Sequence, residues 1–234
     1  MKDLKDDFFR HISSEFNDEL ETLRSSLLQM GGLVEEQLKS ALQICAGNSS
    51  DLMDEIYRVE EQINASEISL DEQVESVIIL RQPKASDLRL VLAVSKIVRD
   101  LERAGDELEK VAKLSSETYD GSVSFGLVEI KQIGDQVSRM LTEALTAFAR
   151  LDADLAQNIF ERDREVDKTY KSALRSLATF MIEDPRDIGK VLNVIWIVRS
   201  LERVGDHATN LAEYVIYLVH GIDVRHPSIN KNSI

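Results

Sequence analysis

Residues 97–106 read IVRDLERAGD, and residues 197–206 read IVRSLERVGD. The decapeptide returns one hundred residues later with two positions changed. A return at fixed separation marks one structural unit used twice. The repeat extends outward from this core. Residues 34–64 align with 137–167 without a gap, matching Val34 to Val137, Leu38 to Leu141, Leu42 to Leu145 and Ile56 to Ile159. Residues 87–112 align with 187–212, with 13 of 26 positions identical. The offset falls from 103 to 100 near the turn between the second and third helix of each half.

Apolar residues recur at helical spacing. Leu88, Val91, Val94, Val98, Leu101, Leu108 and Val111 follow steps of three, four and their multiples, the period of one buried helix face. The pattern predicts six long helices, near 14–46, 50–81, 85–118, 126–150, 153–182 and 186–221. The chain reads as all-α, two tandem pseudo-symmetric three-helix bundles whose short turns make neighbours antiparallel. The first repeat spans 1–119, a linker 120–125, the second repeat 126–222, and a flexible tail 223–234. Asn48 with Asp51 resembles a capping box. Asp184-Pro185 is a capping acid followed by proline at the first helical position, and Pro83 is expected to open the third helix in the same way. Gly31-Gly32 predicts a bend or a close approach in the first helix.

Of 234 residues, 28 are Lys or Arg and 42 Asp or Glu, a net charge of −14. This excludes a nucleic-acid binder, which needs a basic surface for phosphates, and leaves the membrane reachable only through protein partners. Cys45 is the only cysteine, so no internal disulfide forms and a reducing, cytosolic setting fits. The first residues lack the apolar run of a signal peptide. No apolar stretch nears the ~20 residues of a membrane span.

Glu102 and Asp106 are four apart on one helix face, as are Glu202 and Asp206. The preceding helices offer Asp163 and Asp167 in the second half and Glu60 and Asn64 in the first. Counted from Pro83 and Pro185, Asn64 stands level with Glu102 and Asp167 with Glu202 across each hairpin. Each half therefore gathers acids into one patch, whose mutual repulsion a divalent or trivalent cation would relieve. Oxygen donors favour Mg, Mn, Ca or ferric iron over Zn or Cu. The plain alternative is a row of solvated Glu–Arg and Asp–Arg helix pairs, worth ~0.2–0.5 kcal/mol each. Matched Arg, Glu, Arg, Gly and Asp in both halves weigh against it. Gly105 and Gly205 cost ~1 kcal/mol each inside a helix and predict close helix approach. His207 reads as a surface residue and Trp196 as core or interface packing. Nothing in the motifs points to catalysis.

The doubled LERAGD and LERVGD, each on the third helix of a three-helix half, resemble the PhoU family of phosphate-specific transport system accessory proteins. The resemblance covers nearly the whole chain. It implies a cytoplasmic negative regulator of the phosphate-starvation response and of phosphate uptake, acting as an adaptor. Its partners would be a sensor histidine kinase and the ATPase subunit of a high-affinity phosphate ABC transporter. It implies metal ions (Fe, Mn, Mg or Zn) on the E(D)xxxD faces, here Glu102, Asp106, Glu202 and Asp206, with Asp163 and Asp167. Glu60 and Asn64 depart from that pattern. A homodimer is expected. Two other readings compete: a metal-storage or redox protein in which multinuclear clusters are the function, and a passive helical spacer.

Overall fold

The computed structural model describes residues 14–47, 52–119 and 125–224. Among them run six long helices: α1 (Ser14–Cys45), α2 (Leu52–Arg81), α3 (Ser86–Thr118), α4 (Leu127–Arg150), α5 (Ala153–Glu183) and α6 (Ile188–His220). The expected cap at Asn48 and Asp51, linker residues 120–124 and the tail from 225 lie outside the described residues. No helix among the described residues is long and apolar enough to cross a membrane.

Local chemistry sets the boundaries. Asp152 caps α5 by accepting a hydrogen bond from the Leu155 amide at 3.0 Å, which satisfies one of the orphan donors of the first turn. Asp184 accepts from the Arg186 amide at 3.0 Å, and Pro185 opens a 3-10 turn, Pro185–Asp187, before α6 begins. Pro83 does not act in the same way. The first-half turn instead carries positive φ at Gln82 and Ala85, and α3 begins only at Ser86. Without a capping acid before the proline, the chain turns on two strained non-glycine residues.

In the first half α1, α2 and α3 pack on one another, and α4, α5 and α6 do so in the second. Two interfaces join the halves, α3 on α6 and α1 on α4. Both obey the repeat. A Cβ on Gly31 would collide with the end of the Leu145 side chain, and one on Gly134 with the end of Leu42. Gly31 matches Gly134 and Leu42 matches Leu145 at the same offset of 103. Each half therefore drops a leucine onto the glycine of the other, as a pseudo-two-fold axis requires. The predicted close approach is at Gly31; Gly32 faces open space.

The α3–α6 seam is antiparallel, since Asp100 meets His207 and Glu107 meets Ser200. These contacts are related by the same axis. His207 Nδ1 lies 2.8 Å from Asp100 Oδ1, and Asn210 donates to that oxygen at 2.9 Å. Glu107 accepts from Ser200 at 2.7 Å and pairs with Arg203 at 2.6 Å and Lys110 at 3.0 Å. Burial works to raise the Glu107 carboxyl, but Ser200, Lys110 and Arg203 together hold it below the ordinary value. His207 is thus no surface residue: its side chain is 11% exposed. Of the two readings of Trp196, core packing does not hold, since it is 61% exposed.

Gly134→Val should lower unfolding free energy by about 1–3 kcal/mol, because a branched side chain there overpacks against Leu42. Gly32→Ala, in open space within α1, should raise it by about 0.5–1 kcal/mol. Urea denaturation of the pair reads both signs.

Candidate metal-binding carboxylate clusters

The second-half cluster joins α6 to α5. Glu202 projects from α6 with only 7% of its surface exposed. Its Oε1 accepts from Arg199 at 2.8 Å, while Oε2 is buried without a hydrogen-bond partner among the described residues. A buried carboxylate oxygen left so costs on the order of 1–3 kcal/mol. Burial pushes the Glu202 carboxyl up to about 7, and the charges of Asp206, Asp167 and Asp163 add to the rise against Arg199. Asp163 is raised first by burial and then by Asp167, although it accepts from Thr209 at 3.1 Å. The Asp206 side chain reaches solvent, yet its carboxyl is raised too, by loss of hydration beside α5 and by Asp163. Asp167 also holds Lys171 at 3.4 Å.

The first-half cluster joins α3 to α2. Glu60 is likewise 7% exposed. Its Oε2 accepts from Gln37 at 2.7 Å; its Oε1 and the Gln37 Oε1 are buried without partners among the described residues. Burial raises the Glu60 carboxyl, Gln37 opposes the rise, and Asp106 and Glu109 reinforce it. Glu102 is raised by burial and then by Asp106, Glu67 and Glu60. A Cβ on Gly105 would sit 3.1 Å from Glu60 Oε2 and 3.3 Å from Gln37 Oε1, so glycine makes room for that buried pair. Gly205 is different, with its nearest neighbour, Val137, at an ordinary 3.5 Å.

The structure therefore brings Glu202, Asp206, Asp163 and Asp167 into one electrostatic group, and Glu60, Glu102 and Asp106 into another. It adds Glu67, which the sequence reading missed. The acids acting on Glu202 are Asp206, Asp167 and Asp163; those acting on Glu102 are Asp106, Glu67 and Glu60. Glu67 thus takes the place of Asp167, where Asn64 had been expected. The signal lay in the offset, because Glu67 and Asp167 match at 100 while Asn64 matches Asp167 at 103.

Among the described residues, no three His, Cys, Asp or Glu side chains stand ready-made around a metal position. The donor chemistry nevertheless fits a hard cation. Both groups are all-oxygen, each is held together against its own repulsion, and each contains a buried oxygen lacking a donor.

Glu202 binds its proton more tightly in the folded chain, at about 7 against 4.5. The stability this contributes is complete below 4.5 and is lost as pH climbs through 7. In EDTA, wild-type protein should lose on the order of 2 kcal/mol between pH ~5 and pH ~8 that Glu202→Gln retains. Thermal melts across that range check the difference.

The PhoU domain model matches residues 27–115 and 130–215, once in each half. The chain is 51% identical over 228 residues to the phosphate-specific transport system accessory protein PhoU homolog of Pseudomonas aeruginosa, covering 97% of this chain and 94% of the relative. It is 40% identical over 217 residues to phosphate-specific transport system accessory protein PhoU of Escherichia coli, covering 93% and 90%. The crystal structure of PhoU from Pseudomonas aeruginosa superposes with a TM-score of 0.85 over 88% of this chain and 100% of that one, at 51% identity. The phosphate transport system regulatory protein PhoU from Streptococcus pneumoniae does so at 0.82 over 89% and 99%, at 27% identity. Two copies of one domain, with matched helices and near-complete coverage, place this chain in the PhoU family.

Proposed function

We propose that this protein is a cytoplasmic accessory protein of a phosphate-specific transport system that represses the phosphate-starvation response and restrains uptake. It acts as an adaptor between the ATPase subunit of the transporter and a sensor histidine kinase, without catalysis of its own, and works as a homodimer. The observation that carries this reading is the 51% identity, over 97% of the chain, to a protein named as such an accessory. The fold supports it. A pseudo-two-fold bundle presents two related helical faces, which suits one chain engaging two partners.

The carboxylate groups serve as metal sites in this reading. Glu202, Asp206, Asp163 and Asp167 would hold an ion in the second half, and Glu60, Glu67, Glu102 and Asp106 in the first. A bound divalent or ferric ion supplies positive charge that offsets the repulsion among the acids. The protein's part is to orient oxygens: α6 and α5 set the second group and α3 and α2 the first. Arg199 holds Glu202 Oε1, and Gln37 holds Glu60 Oε2.

Deleting the gene should switch on phosphate-starvation genes in phosphate-rich medium, and plasmid-borne wild type should silence them again. Genes that stay silent in the deletion strain would overturn the regulatory reading. Elemental analysis of untagged protein should find stoichiometric metal that falls in Glu202→Gln/Asp206→Asn. No metal in either protein would return these acids to ion pairs and partner contacts.

A further inference from the structure

The pseudo-symmetric halves differ at one groove. It has a volume of ≈ 600 Å³ and lies where α6 crosses the end of α3. Lys110, Lys113, Arg199 and Arg203 line it, with the Trp196 ring beside them. Glu107 and Glu117 are the carboxylates of the lining, and Glu107 is already neutralised within the seam by Ser200, Lys110 and Arg203. The lining thus carries four cations against two carboxylates on a chain of net charge −14, with Lys113 also paired to Glu109 at 2.9 Å and Arg199 to Glu202 at 2.8 Å.

The fold does not demand this. At the mirror position, one hundred residues displaced, Trp196 is replaced by Lys96, Lys110 by Asn210, Lys113 by Glu213 and Leu114 by Tyr214. There the Lys96 ammonium lies 5.6 Å over the Tyr214 ring, so the side chains cover one another. Two sites under the same packing constraint have thus diverged: the mirror position opens as a cleft of ≈ 390 Å³ lined by Arg203, Asp206, His207, Thr209 and Asn210, whereas the groove sets an exposed Trp196 among four Lys and Arg side chains.

An apolar stripe continues from the groove. Ile188, Leu192 and Trp196 are spaced four apart on α6, and all three are exposed. From first to third the stripe runs about 12 Å along the helix. A small anion would use the cations and leave this stripe in water. A polypeptide with apolar residues flanked by carboxylates would use both. Trp and Arg are the residues that most often carry binding energy at protein interfaces, and complementary charge fixes register and speeds encounter. The remaining acidic surface repels such a segment everywhere else, which confines it to the groove.

We propose that the groove lined by Lys110, Lys113, Arg199, Arg203 and Trp196 docks an acidic, amphipathic segment of a protein partner. The proposal deepens the adaptor reading and rests on it for the existence of a protein partner. Its test does not involve the phosphate response, so the two fail separately.

The test is selection from a display library of random peptides of about 16 residues, roughly four helical turns, against the full chain. Chosen peptides are then measured by fluorescence anisotropy. Enriched peptides should combine several Asp or Glu with Leu, Phe or Trp, and should weaken as salt rises. The Lys113→Glu/Trp196→Ala variant should bind them at least about tenfold more weakly. Both positions are solvent-facing and neither contacts Glu107, so circular dichroism should show an unchanged fold; Lys113→Arg should bind as wild type. Enrichment of peptides without acidic residues, or equal binding to the Lys113→Glu/Trp196→Ala variant, would overturn the proposal. A saturable Trp196 emission change with inorganic tripolyphosphate, and no peptide enriched, would also overturn it and reassign the groove to a small anion.

Discussion

Everything in the molecule is arranged about the antiparallel crossing of α3 and α6. These helices form one of the two interfaces that join the halves, and they also carry Glu102, Asp106, Glu202 and Asp206. A pseudo-two-fold crossing forces a rule on the chain. Position 100 of the first half meets position 207 of the second, and position 107 meets position 200. Had the repeat remained identical in the sense of the first half, acid would face acid at both places. Two buried carboxylate pairs without counter-charge would cost several kcal/mol each. The chain instead places Ser200 opposite Glu107 and His207 opposite Asp100. A buried acid in one half finds a donor in the other.

This explains why the repeat breaks where it does. Gly105 and Asp106 return in the second half as Gly205 and Asp206, on faces turned to their own half; Arg103 returns as Arg203, which reaches across the seam to Glu107. Asp100, Glu107 and Lys110 return as Ser200, His207 and Asn210, and all lie in the seam. At these polar positions of the α3–α6 seam divergence supplies the complementary partner, while at the α1–α4 interface retained Gly and Leu serve both halves. His207 reads as a surface histidine from its polar neighbours because seam polarity cannot be told from solvent polarity in one strand of sequence. Trp196 is the converse case. Its size suits core or interface packing alike, and it stands on the exposed stripe with Ile188 and Leu192.

The helices themselves were legible, since a period of 3.6 sustained over thirty-residue stretches admits few alternatives. The acidic groups were legible in part. Spacing on one helix identified Glu102 with Asp106 and Glu202 with Asp206, and counting from each proline placed Asn64 and Asp167 level with Glu102 and Glu202, with Glu60 and Asp163 one turn away on the same helices. Glu67 was lost because the two turns differ. Asp184 caps a 3-10 turn in the second half, while Gln82 and Ala85 carry the first-half turn at positive φ. That difference changes the register between helices by nearly one turn, and only the three-dimensional arrangement shows which side of the change a residue of α2 follows.

Arg199 connects the two features on which function is proposed to rest. Its guanidinium holds Glu202 at 2.8 Å, lies 5.7 Å over the Tyr170 ring, and lines the cationic groove. It cannot serve Glu202 and an acidic segment equally. A segment that draws Arg199 into the groove removes the one positive charge acting on the Glu202 carboxylate, where Asp206, Asp167 and Asp163 already repel it. A cation gathered by those acids does the reverse: it relieves Glu202 of the need for Arg199 and frees the guanidinium for the groove. Binding at either place thereby favours binding at the other, and linkage makes the effect reciprocal. The first half differs: the cleft beside its acidic group is lined by Glu67, Asp71, Glu75 and Arg99, so acids rather than cations dominate it. The duplication thus supplies two acidic groups, and the groove proposed for docking shares Arg199 with the second.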